Sequence, residues 1–212
     1  MIDKKYNMIK YQLESRGIKN KKVLDVFYSI NRENFVTEEM KPYAYEDSAL
    51  PLFKGQTISQ PYIVALMTEL LDPKEEDEVL EIGTGSGYQS AILSKLVKKV
   101  YSVEIVKELV EFAKQNLNKE NIKNVEVFYG DATSDLEIFK NKKFDKIIVT
   151  AATKEIPIIW VDLLKEGGRL VVPLGNMDLQ TLTVFVKKNG DLKKLKEVIN
   201  VIFVPLKRSG EN

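Results

Sequence analysis

The spacing of apolar residues changes character twice along the chain. Near the start, Ile2, Tyr6, Ile9 and Leu13 step by four, three and four, the period of one helix face, and Gly17 supplies a stop. Val23, Phe27 and Ile30 mark a second short helix. Residues 31–60 lose that period and hold Pro42, Pro51, Gly55 and many aromatics. They read as an irregular cover segment, and so long an irregular stretch inside a compact fold is usually functional. Ser59 ahead of Pro61 then starts a helix over Tyr62–Leu71, which Asp72-Pro73 ends.

From there strands and helices alternate. Strands are predicted at Glu78–Ile82, Val100–Glu104, Val125–Tyr129, Phe144–Thr150 and Arg169–Pro173. Helices are predicted at Ser86–Val97, Lys107–Lys119 and Glu155–Lys165, the last ending at Gly167-Gly168. Apolar strands separated by helices make a parallel sheet covered on both faces. The tail differs: Leu179–Lys188 and Val198–Val204 are strand-like, with Asn189-Gly190-Asp191 as a turn between them. The expected fold is α/β, a doubly wound, mostly parallel sheet with a C-terminal antiparallel strand pair. Residues 1–75 form a helical and irregular cover and 76–212 the core of one domain.

Composition narrows the chemistry. The 212 residues are 44% hydrophobic and 30% charged with a net charge of +1, which advertises neither a nucleic-acid nor a membrane partner. No apolar run approaches the ~20 residues of a membrane helix, and the first twelve residues do not form a signal peptide. Cysteine and histidine are both absent. Serine–histidine hydrolases, cysteine proteases and zinc enzymes of the usual ligand sets are therefore excluded. No metal site is expected, and a cysteine-free chain points to the cytoplasm.

The predicted first core strand runs into Glu81-Ile82-Gly83-Thr84-Gly85-Ser86-Gly87 and then a helix. Glycines at such a turn let backbone approach a ligand and aim helix N–H groups at it; a turn packed for its own sake is the alternative. Gly83 and Gly85 match the dinucleotide pattern, but Tyr88 occupies its third glycine position. Glu81 would repel a pyrophosphate, whereas it would favour a sulfonium and an ammonium. No phosphate-loop lysine follows. Glu104 lies about 20 residues on, where a carboxylate accepts both ribose hydroxyls, unless it is only a solvated charge at a helix start. Asp131 and its neighbouring backbone stand where an adenine edge would be read, or Asp131 simply caps the next turn.

The acid-plus-glycine loop resembles the first motif of class I S-adenosyl-L-methionine methyltransferases. A closer resemblance lies upstream: Gly55-Gln56-Thr57-Ile58-Ser59-Gln60-Pro61 is similar to a segment of protein-L-isoaspartate O-methyltransferases. Asn31-Arg32-Glu33-Asn34-Phe35-Val36, Tyr43-Ala44-Tyr45-Glu46-Asp47, Gly167-Gly168-Arg169-Leu170 and Val204-Pro205-Leu206 agree in order. The resemblance implies a Rossmann-like seven-stranded methyltransferase sheet with S-adenosyl-L-methionine as cofactor. The implied reaction is methylation of the α-carboxylate of L-isoaspartyl, and D-aspartyl, residues in damaged proteins. The ester then collapses through succinimide toward normal aspartate.

The resemblance also implies a cofactor site of Thr57, Ser59, Glu81, Gly83, Gly85, Glu104, Ile105, Asp131 and Ala132, with Ser59 the catalytic residue. Tyr62, Ala132 and Lys207 depart from the pattern, where histidine, glycine and threonine are common. A small molecule or an RNA is the alternative methyl acceptor. The chemistry suits the composition: a carboxylate is ionised at neutral pH and needs no general base. Ser59 is then an orienting donor, a helix cap, or both. Turnover is expected to stay nearly flat from about pH 8 to 5.5, since no imidazole titrates there.

Overall fold

The computed structural model describes residues 3–134, 136–176 and 178–210, so Ile2 of the first helical face lies outside the described residues. That face is otherwise continuous, though not one regular helix. A short α1 (Lys4–Asn7) widens into a π-helical segment over Met8–Leu13 and tightens into a 3₁₀ turn over Glu14–Arg16, where Gly17 ends it. Helix α2 (Lys21–Ser29) is capped by the Asn20 side chain and buries Val23, Leu24, Val26 and Phe27. The irregular cover contains 3₁₀ turns at Arg32–Phe35 and Glu38–Tyr43 and a small antiparallel hairpin, β1 (Leu50–Pro51) with β2 (Thr57–Ile58).

Helix α3 (Pro61–Leu71) begins with Pro61 in its first turn, and its N-cap is Gln60, with no side-chain cap bond. The cap role expected of Ser59 is therefore not realised, because Ser59 stands one residue outside the cap. The core follows as β3 (Glu78–Ile82), α4 (Tyr88–Ser94), β4 (Lys99–Glu104), α5 (Lys107–Lys119), β5 (Val125–Tyr129), β6 (Phe144–Val149), α6 (Ile158–Leu163), β7 (Leu164–Gly175), β8 (Gln180–Lys188) and β9 (Asp191–Val201). The seven-stranded sheet has the order β5-β4-β3-β6-β7-β8-β9. Pairing is parallel from β5 to β7 and antiparallel at β7–β8 and β8–β9. This is the expected mixed sheet with its antiparallel C-terminal end.

Among the boundaries that differ from expectation, three have clear physical reasons. Helix α4 starts only at Tyr88 because the glycine turn consumes Ser86 and Gly87. Gly167-Gly168 does not end a helix; α6 stops at Leu163 and the pair lies inside β7, where the pairing with β6 shifts register. A Cβ at Gly168 would sit 2.8 Å from the Asp145 carbonyl oxygen, so the glycine marks a close approach of two strands. Strand β9 begins at Asp191, straight after Asn189-Gly190, and ends at Val201. Its first half is exposed and lysine-rich, so it lacks the apolar alternation from which strands are read, as suits a sheet edge.

The period-2 alternation of strands divides the interior. Val79 enters the larger cluster, under α2, α3 and α4, while Leu80 and Ile82 enter the smaller one, with Tyr101, Phe139, Phe144 and Trp160. Trp160 is fully buried, and its Nε1–H donates to the Ala132 carbonyl oxygen at 2.7 Å, tying the β5–β6 connection to α6. Among the described residues no helix is long and apolar enough to cross a membrane. Trp160→Phe leaves that carbonyl without its donor and is expected to cost about 1–3 kcal/mol, measured by urea unfolding. An unchanged unfolding free energy would show that the bond contributes nothing.

Candidate active site

Strands β3, β4 and β6 deliver their carboxyl ends to one cavity of about 840 Å³, part of it open to solvent. Its floor is the turn from β3 to α4. Gly83 has φ of +93°, and a Cβ there would stand 2.7 Å from Thr150 Oγ1 at the end of β6. Backbone strain and lack of space therefore both demand glycine. The turn is anchored on either side: Gly83 N–H donates to the Val103 carbonyl (2.9 Å), and Thr150 N–H donates to the Ile82 carbonyl (2.9 Å). The Thr150 hydroxyl donates to the Gly83 carbonyl as well.

Glu104 ends β4 and lines the cavity. Its Oε2 accepts from Gly85 N–H (2.8 Å) and its Oε1 from Val106 N–H (2.9 Å). Each oxygen retains capacity for a further donor. Burial pushes the Glu104 carboxyl up, against these backbone donors and the charge of Lys207, which hold it down. Glu104 is thus an acceptor facing a cavity, which settles its placement against the solvated-charge alternative.

The opposite wall comes from the cover segment. Thr57, Ile58 and Ser59 line the cavity across from the glycine turn. The tip of the β1–β2 hairpin reaches α5, where Phe53 meets Phe112 edge-on (5.1 Å between centroids) and Lys54 pairs with Glu108 (3.1 Å). The pair is exposed and adds little, so the aromatic contact carries the docking. The remaining lining comes from Ile105, Gly130, Ala132 and Val204–Lys207. The last segment is held by an exchange with Ala152: Ala152 N–H donates to the Val204 carbonyl and Leu206 N–H to the Ala152 carbonyl, both at 2.8 Å.

Of the site residues expected from sequence, the cavity unites Thr57, Ser59, Gly83, Gly85, Glu104, Ile105 and Ala132. Glu81 and Asp131 are not in its lining. Strand alternation places Glu81 on the α4 side, fully buried, where it accepts from the Ser90 hydroxyl while its Oε1 has no hydrogen-bond partner. Asp131 caps its own turn: Oδ1 accepts from Thr133 N–H (2.8 Å) and hydroxyl (2.7 Å), and Oδ2 from Ser209 N–H (2.7 Å). Against the opposing effect of burial, these donors hold its carboxyl below the usual range.

Sequence reasoning missed Thr150, Gln56, Met67 and Gln89. Thr150 carries no motif signal, Gln56 fills a position of the Gly55–Pro61 segment that the resemblance leaves unspecified, and Met67 and Gln89 sit within helices whose pattern reads as packing. Of the departures, Tyr62 carries the Arg16 guanidinium 3.7 Å over its ring, and Lys207 lies at the cavity rim.

A doubly wound sheet with a glycine-floored cavity at the ends of its first strands, faced by a strand-end carboxylate, defines the α/β class that holds a nucleoside-bearing cofactor. The profile of the Protein-L-isoaspartate(D-aspartate) O-methyltransferase (PCMT) family matches residues 3–211, and the chain belongs to that family. It is 49% identical to a protein-L-isoaspartate O-methyltransferase of Dictyoglomus turgidum over 92% of this chain and 87% of that one. It is 47% identical to the Vibrio campbellii enzyme of the same name, over 92% of this chain and 91% of that one. A Plasmodium falciparum protein described as a protein-L-isoaspartate O-methyltransferase and crystallised with S-adenosyl-L-homocysteine superposes with a TM-score of 0.85. The two are 29% identical, and the match covers 98% of this chain and 99% of that one.

Glu81 supplies a titrating group near neutrality in a chain without histidine. Burial pushes its carboxyl up to about 7, against the Ser90 and Ser102 hydroxyls, with the charge of Glu104 adding to the rise. An unfolded glutamate titrates at about 4.3. Between those values the unfolded chain has lost a proton that the folded chain keeps, so this group makes stability fall as pH rises through about 4.5–7 and level off above. The full effect is on the order of 3 kcal/mol. Glu81→Gln keeps an acceptor for Ser90 and removes the charge. Its stability relative to the parent, from urea unfolding without ligand, should rise from pH 5 to 7 and then stay constant. A difference independent of pH would place the Glu81 carboxyl at its ordinary value.

Proposed function

We propose that this protein transfers the methyl group of S-adenosyl-L-methionine to the α-carboxylate of L-isoaspartyl residues in damaged peptides and proteins. Residues 1–212 act as one unit in that repair reaction, and a cysteine-free chain fits a cytoplasmic site of action. Family membership supports the activity. The observation that carries the assignment of the site is a shared wall. Thr57 and Ser59 line the glycine-floored cavity and also a second, adjoining groove with Ala49, Gln60, Ile63, Leu179 and Asn200–Phe203. A cofactor in the first and a peptide in the second would meet at Ser59.

The residues present fit the cofactor. At Gly85 a Cβ would meet only the Thr57 carbonyl oxygen, at 3.9 Å, so the backbone there lies open to a ligand; Glu104 offers acceptors for a ribose diol, and Ile105 and Ala132 line the same cavity. Glu81, two residues ahead of Gly83, is buried outside the cavity lining with one oxygen unpaired. Bound S-adenosyl-L-methionine supplies an activated methyl, to which a carboxylate oxygen bonds as the carbon–sulfur bond breaks, with no proton transferred. The chain therefore needs no base. Its tasks are to align the carboxylate and to exclude water, worth several orders of magnitude in rate when the geometry is held. We assign alignment to the Ser59 hydroxyl and exclusion of water to the Thr57–Ser59 wall and the Val204–Lys207 segment.

Labelled-methyl transfer to an isoaspartyl peptide and to its aspartyl twin tests the function. The isoaspartyl linkage leaves the α-carboxylate free where the normal linkage buries it in an amide, so label should enter only the first peptide. Equal labelling of both, or of neither, would contradict the assignment. In the same assay Ser59→Ala should lower kcat about tenfold or more while S-adenosyl-L-homocysteine affinity changes less than about twofold. Loss of cofactor affinity in step with turnover would move Ser59 from the substrate to the cofactor.

A further inference from the structure

Among the described residues Arg32 is the largest charged side chain that is fully buried, yet it lines neither the cavity nor the groove. Its guanidinium uses two donors of one planar fork. Nε–H donates to the Ala44 carbonyl at 2.7 Å and Nη2–H to the Ser59 carbonyl at 2.9 Å. The guanidinium carbon lies 4.8 Å from the centroid of the Tyr88 ring, the first residue of α4 after the glycine turn. Phe27 and Phe35 pack on Tyr88 edge-on, with centroids at 6.1 and 5.4 Å, so the ring is clamped. The third nitrogen, Nη1, is buried without an acceptor.

No buried ion pair accounts for this side chain. Its electrostatic neighbours are Tyr88 and Tyr45, and the adjacent Glu33 is committed to the Tyr45 hydroxyl. Removing a guanidinium from water costs several kcal/mol, and an apolar residue of similar volume would serve packing at lower cost. What an apolar residue cannot do is hold two carbonyls in one plane against a ring. Those carbonyls belong to the cover segment and to the residue where cofactor cavity and groove meet, and the ring belongs to the helix that follows the glycine turn.

We propose that Arg32 is a positioning residue for methyl transfer: its fork fixes the Ser59 peptide unit relative to the start of α4, and so sets the distance and angle between the substrate carboxylate and the methyl donor. The proposal rests on the assignment of Ser59 made above. It is a matter of geometry more than of charge. Lysine would keep the positive charge but, as a point donor, would not hold both carbonyls in one plane. Displacement of the Ser59 unit by about 1 Å suffices to slow an in-line transfer by tenfold to a hundredfold.

The test uses Arg32→Lys and Arg32→Met in the isoaspartyl-peptide assay, with S-adenosyl-L-homocysteine affinity by calorimetry and Ser59→Ala alongside. Both Arg32 variants should lose tenfold or more in kcat while S-adenosyl-L-homocysteine affinity stays within twofold. A lysine variant within threefold of parent kcat, or a kcat loss matched by loss of S-adenosyl-L-homocysteine affinity, would overturn the proposal. Normal turnover in Ser59→Ala with slow turnover in Arg32→Lys would also overturn it, by removing the route through Ser59 while leaving the enzyme's activity established.

Should neither Arg32 variant fold, the parent protein still decides. With ¹⁵N-arginine labelling, the buried Arg32 Nε–H gives a slowly exchanging signal. It should shift when the isoaspartyl peptide is added to the S-adenosyl-L-homocysteine-loaded protein, and not when the aspartyl twin is added. A signal unmoved by the isoaspartyl peptide contradicts the proposal.

Discussion

At Gly83 the turn between β3 and α4 has no room for a side chain, and the rest of the site is arranged around that fact. Thr150 closes on Gly83 from β6, Val103 receives its N–H from β4, and Glu104 receives the N–H of Gly85. Three parallel strands are thereby locked at one level, with their carboxyl ends opening into a single cavity. Cofactors of doubly wound sheets bind at such ends because the loops, not the strands, vary there. The second wall is not part of the sheet. It is brought over the cavity by the short β1–β2 hairpin, docked on α5 through Phe53 and Phe112.

Arg32, Glu104 and Glu81 are buried close to this turn, and each is held by hydrogen bonds instead of an ion pair. Arg32 grips two carbonyls, Glu104 accepts two backbone N–H groups, and Glu81 accepts one hydroxyl. Burying charges in this way costs stability, and one oxygen of Glu81 and one nitrogen of Arg32 remain without partners. Such a cost tolerated around one cavity fits a region selected for ligand geometry over packing. It also explains how a chain without histidine or cysteine serves a group transfer. The acceptor is already ionised, and the protein's contribution is placement.

Much of the architecture was legible because apolar alternation and helical period are strong where elements are buried on the expected faces. The five parallel strands and α5 follow that rule. The exceptions are local. Exposed lysines hide the first half of β9, and Gly168 in β7 serves a close strand contact that sequence cannot distinguish from a helix end. In the site, Gly83, Gly85 and Glu104 were legible from motif spacing, and Ser59 from the family resemblance. Asp131 was legible as one of two readings, and the turn cap is the one found; the place of Glu81 was not, because strand alternation decides which way its side chain leaves the backbone. Arg32 carried no chemical signal, since its partners are backbone carbonyls that any sequence supplies.

The cofactor cavity and the peptide groove are proposed to meet at the Thr57–Ser59 wall, with the isoaspartyl carboxylate held there. A crystal structure with S-adenosyl-L-homocysteine and an isoaspartyl peptide bound together tests it most directly. The expected result has the cofactor product over Gly83 and Gly85 with its ribose on Glu104, and the peptide α-carboxylate within hydrogen-bond distance of the Ser59 hydroxyl, facing the cofactor sulfur. A carboxylate bound away from Ser59, or a cofactor seated outside the glycine-floored cavity, would contradict it.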